Sequence, residues 1–93
     1  MSRTASAVVT IANKLGLHAR PATLFVDRAC SAQAQITVRR CDQSEAVDGK
    51  SIMQMLMLAA TQGTRLEITA EGNDADEAVR NLVRLVEGGF DED

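Results

Sequence analysis

The chain has 93 residues, 45% of them hydrophobic but only 2% aromatic, and a formal net charge of −3. This length supports one domain, whose core must come from Val, Ile, Leu, Met and Ala, with Phe25 and Phe90 as the only rings. The negative balance argues against a nucleic-acid partner, because phosphate-backbone binding needs a basic surface, and no apolar run reaches the ~20 residues of a membrane span.

The first element is a strand over 5–11, where Ala5, Ala7, Val9 and Ile11 share one face and Val8 interrupts the polar one. No cleavage site follows the N-terminal stretch, so no signal peptide is expected and the chain is placed in the cytoplasm. "NKLG" breaks the alternation, and from Ala19 the spacing turns helical, with Ala22, Phe25, Val26 and Ala29 on one stripe. Pro21 falls in the first turn, where its missing N–H costs nothing.

Alternation returns at 34–39, with Ala34, Ile36 and Val38 inward, and a short strand at 44–47 is predicted to pair back as a hairpin. A second helix opens at "KSIMQMLMLAA", where Ser51 and Gln54 fit a capping box. The cleanest strand is 64–71, with Leu66, Ile68 and Ala70 inward. Asn73 or Asp74 then caps a final helix, which buries Ala75, Val79, Leu82, Val83 and Val86. The domain is expected to span 1–88, with "GFDED" at 89–93 as a frayed acidic tail. The order β-α-β-β-α-β-α predicts an α+β fold, one sheet with helices on one face.

Cys30 and Cys41 form no metal-binding or redox spacing, and two free thiols are expected. His18 is the sole histidine, so no metal site is expected. With no glycine-rich nucleotide loop, no nucleotide cofactor is expected either.

His18 stands at the predicted N-terminus of the first helix. An uncharged imidazole there is a nucleophile, at the positive end of the helix dipole. If the ring attacks a phosphoryl group, the anion forms at a helix mouth, where the N–H groups of Ala19 and Arg20 are ready donors. Arg20 adds a fixed charge and a donor fork suited to phosphate, and Gly16 lets the loop turn tightly. From residue types alone, a simple cap or surface histidine is the more usual reading.

The contiguous run "NKLGLHARPA" resembles the active-site segment of the HPr family, the histidine phosphocarriers of the phosphoenolpyruvate-dependent phosphotransferase system. "GKSIMQMLMLAA" and "TQGTRLEITAEGNDADEAVRNLV" resemble the family's second helix and its last strand and helix. The resemblance implies an open-faced β-sandwich, a four-stranded antiparallel sheet with three helices on one side. It makes His18 the phosphorylated residue, through Nδ1, and Arg20 its phosphate-stabilising partner. The implied partners are enzyme I as donor and an enzyme IIA as acceptor, with the carrier a monomer and not itself an enzyme. It also implies that Ser51 is the target of a regulatory serine kinase, HPr kinase/phosphorylase.

The helix "IMQMLM" is apolar almost all round, so part of it must be exposed. Leu56 is expected in the core, and Ile52, Met53 and Met55 as partner-binding residues, because flexible Met side chains suit a surface that fits several proteins. "GFDED" resembles the nitrogen-related branch of the family and "KSIM" the sugar-transport branch, so the branch stays open. A regulatory module that acts by docking alone is the alternative.

Overall fold

A computed structural model describes residues 3–91. Four strands, β1 (Arg3–Thr10), β2 (Gln35–Arg40), β3 (Ala46–Asp48) and β4 (Arg65–Gly72), form one antiparallel sheet in the order β1-β4-β2-β3. Three helices, α1 (Ala19–Cys30), α2 (Ile52–Met57) and α3 (Ala75–Glu87), pack on one face, and a short 3₁₀ turn covers Gly89–Asp91. This is the α+β, open-faced arrangement expected from the sequence.

The alternation explains the layering. Val9, Ile36, Val38, Leu66, Ile68 and Ala70 point under the helices and are buried. The other face is polar, and Arg39 on β2 pairs with Glu67 on β4 across the sheet at 3.1 Å. Val8 stands on that open face, which is why it broke the pattern. The hairpin partner strand is 46–48, starting two residues later than expected, with Val38 opposite Val47.

Four expectations need correction. Met55 is wholly buried and Leu56 is exposed, the reverse of the expected phase; a run apolar at five of six positions carries no phase of its own. The tail starts later than expected: Phe90, the second ring available to the core, is wholly buried, because Gly89, at φ +68°, turns the chain back onto the domain after α3 ends. The expected tail is therefore packed through Phe90, and residues 92–93 lie outside the described residues. On α3, Leu85 joins the core while Val83 is only half-buried. Asp74 occupies the N-cap position but makes no cap; its carboxylate accepts the amides of Gln33 (2.9 Å) and Ala34 (2.8 Å) instead.

Those two bonds tie the start of β2 to the start of α3. The Gln33 amide, and then the Ala34 amide, hold the Asp74 carboxyl below its usual range against the opposing desolvation. A lowered folded value means that this stabilisation is complete above the ordinary carboxylate range and is lost as pH falls through the folded value. Asp74→Asn should therefore melt several degrees below wild type at neutral pH, with the gap closing in acid. A melting difference that is constant from neutral pH into acid would contradict this.

Candidate functional site

His18 is the N-cap of α1, with extended backbone (φ −85°, ψ −170°), and its side chain does not cap the helix. Its carbonyl accepts the first intrahelical bond, from the Ala22 amide at 3.0 Å. The amides of Ala19 and Arg20 precede that bond, and Pro21 has none to offer. Two adjacent N–H groups are thus left at the mouth of a twelve-residue helix. The imidazole is half-buried and Arg20 is exposed, so both are reachable from solvent.

The loop before His18 is fixed from two sides. Buried Asn13 donates through Nδ2 to Gly16 O at 2.8 Å, and the Leu17 amide donates to Ala60 O at 2.8 Å. Gly16 has φ +70°, and a Cβ there would lie 2.5 Å from Ala60 O and 2.8 Å from Thr61 Cα, both backbone. Only glycine fits such a turn pressed against another chain segment. Gly16→Ala should cost at least about 1–3 kcal/mol from the left-handed backbone alone. The close contact should also push the His18 loop away from Ala60. Urea denaturation checks the first effect, and an unchanged midpoint would contradict it.

Helices α1 and α2 pack against each other, and the bonds at their ends join the start of each to the end of the other. Lys50, just before α2, reaches the end of α1: its Nζ donates to Ala32 O at 2.9 Å, and Cys30 Sγ lies 4.0 Å from Lys50 O. The far end of α2 meets the start of α1 through the Leu17–Ala60 bond. His18 therefore neighbours the Met57 end of α2. Ser51 lies at the other end, about 9 Å of helix away.

Ser51 caps α2 as expected, its Oγ accepting the Gln54 amide at 3.3 Å. The reciprocal half of the capping box is absent: Gln54 Oε1 accepts the Asp48 amide at 2.8 Å instead. Among the expected partner-binding residues, Met53 is 74% exposed and Ile52 39%, whereas Met55 is in the core and unavailable. Two further exposed residues lie outside that partner-binding set. Met57 (76%) and Leu15 (74%) both stand at the His18 end of the site. Leu15 has a legible signal, a large aliphatic side chain inside a loop sequence otherwise built for a turn. Cys30 and Cys41 are free thiols. No helix of the described residues is long and apolar enough to cross a membrane.

The family model described as the PTS HPr component phosphorylation site matches residues 5–88. A phosphocarrier protein HPr from Pseudomonas aeruginosa is 51% identical over 84 residues, which cover 90% of this chain and 92% of that protein. A phosphocarrier protein NPr from Proteus mirabilis is 42% identical over 85 residues, covering 91% and 93%. The crystal structure of an HPr from Thermoanaerobacter tengcongensis superposes with a TM-score of 0.89 at 42% identity, covering 96% of this chain and 98% of that one.

Proposed function

The chain belongs to the HPr family of phosphocarrier proteins, and from that premise we propose that His18 carries a phosphoryl group between two partner proteins. It accepts the group from phospho-enzyme I and hands it to an enzyme IIA, in the cytoplasm, as a stoichiometric carrier and not an enzyme. The supporting observation is His18 at the mouth of α1, with its side chain not serving as the cap and the Ala19 and Arg20 amides beside it.

In the accepting step, the lone pair of the His18 ring nitrogen attacks phosphorus. A nitrogen–phosphorus bond forms as the bond to the donor breaks and the donor keeps that electron pair. The charge on the phosphoryl oxygens is met by the two amides and by the Arg20 guanidinium. Handing on reverses these roles, so the site must hold phosphate without trapping it. Exposed residues and a surface arginine suit that better than a closed cage.

Leu15 and Met57 at the His18 end, and Ile52 and Met53 beside Ser51, are exposed apolar side chains that suit transient docking. Ser51 serves as a regulatory phosphorylation site. A phosphate at that N-cap leaves α2 folded, while adding about two negative charges to the docking face. HPr kinase/phosphorylase should therefore place an acid-stable phosphate on wild type, and that form should accept phosphate from enzyme I more slowly. Equal labelling of Ser51→Ala would remove Ser51 from this role.

The relay itself is tested with the phosphorylated protein freed of enzyme I and phosphoenolpyruvate. Mixed with enzyme IIA domains of the sugar and nitrogen types, it should lose phosphate to at least one of them. A protein that binds these domains yet never exchanges phosphate is a docking module, and that result overturns the proposal.

A further inference from the structure

The His18 loop hangs on a turn that follows α2, and that turn has an unusual support. Ala59 sits at φ 51°, a left-handed conformation that costs an alanine free energy and needs surrounding contacts to persist. Arg40, at the end of β2, supplies them: its Nη1 donates to Leu58 O at 3.1 Å and to Ala59 O at 3.2 Å. Asp42 braces the same guanidinium in a two-pronged pair, Oδ1 with Nε and Oδ2 with Nη2, each at 3.0 Å. The next carbonyl along, Ala60 O, accepts the Leu17 amide and lies against Gly16. A continuous set of hydrogen bonds and chain therefore runs from Asp42 through Arg40 and the 58–60 turn to the residue before His18.

We propose that Arg40, braced by Asp42, is a positioning residue for phosphoryl transfer, holding the Leu58–Ala60 turn that sets the His18 loop at the mouth of α1. This rests on His18 as the phosphoacceptor. Arg40 touches no phosphate; it acts through Ala60 O and the Leu17 amide. Transfer between two proteins demands near-attack geometry at the ring, and small displacements of a reacting group slow such steps steeply. The fork of the guanidinium matters because one side chain must span two carbonyls and a carboxylate at once.

The test compares enzyme I-dependent phosphorylation rates of wild type, Arg40→Ala, Arg40→Lys and Asp42→Ala, at a temperature where each stays folded by circular dichroism. Arg40→Ala should be slower by roughly tenfold, with Asp42→Ala and Arg40→Lys in between. Hydrogen exchange at the Leu17 amide should quicken in the same order, which a merely less stable fold would not single out. Arg3→Ala, which removes a remote surface pair with Asp76 at 2.6 Å, is the control and should match wild type. Should Arg40→Ala fail to fold, Asp42→Ala leaves the arginine in place and carries the comparison alone. Wild-type rates in the variants, or a melting change with Leu17 protection unaltered, overturn the role of Arg40. A wild-type protein that takes no phosphate overturns the relay reading itself, and with it any positioning role.

Discussion

Phe90→Ala should destabilise the protein by about 3–5 kcal/mol, the range for emptying a buried aromatic site. For a domain of this size that is a fall in melting temperature of roughly 12 °C or more. The ring is wholly buried despite lying three residues from the end of the chain. It holds a left-handed backbone, φ 57°, which a phenylalanine adopts only where burial offsets the cost. The effect should also reach the site. Gly89 passes Asn13 so closely that an added Cβ would lie 3.8 Å from Asn13 Cβ, and Asn13 fixes Gly16 O in the His18 loop. Loss of the ring should therefore quicken hydrogen exchange in residues 13–17 as well as lower the melting temperature. A Phe90→Ala protein that melts with wild type would show that the C-terminal turn is not part of the core.

That residue also marks a limit of sequence reading. Two glycines and a run of acids look like an unravelling end, and nothing local shows that Gly89 reverses the chain onto the core. The strands were legible because one face of the sheet stays uncovered, which preserves strict alternation at 34–39 and 64–71. α1 was legible because its apolar stripe is narrow. α2 was recognisable as a helix from its cap, but with Met, Ile or Leu at five of six positions its orientation is decided by packing against α1. The structure accordingly buries Met55 and exposes Leu56, the reverse of what the pattern suggests. Long-range polar ties were invisible: Asp74 bonds an amide 40 positions away, and Arg40 a carbonyl 18 positions away. The site itself was the most legible part, because His18, Arg20, Pro21 and Gly16 stand in one contiguous run. Of its supports, Asn13 opens that same run, whereas Ala60 and Arg40 belong to separate segments.

His18→Ala should abolish phosphate acceptance without unfolding the domain. The ring does not cap α1, and the backbone carbonyl that starts the helix remains in the variant. His18 is the only histidine in the chain, so no second imidazole can take over. Arg20→Ala should leave acceptance possible but slow it, on the order of 10²-fold, as for loss of one donor to a transition-state anion. The gradation matters because the proposed relay gives the histidine the bond and the arginine only charge stabilisation.

The most direct measurement is the intact mass of wild type and of His18→Ala after incubation with enzyme I and phosphoenolpyruvate, before and after brief acid treatment. Wild type should gain the mass of one phosphoryl group and lose it in acid, as a phosphohistidine does, while His18→Ala stays at its starting mass. Uptake by His18→Ala at the wild-type rate, or a wild-type phosphate that survives the acid, would contradict the account.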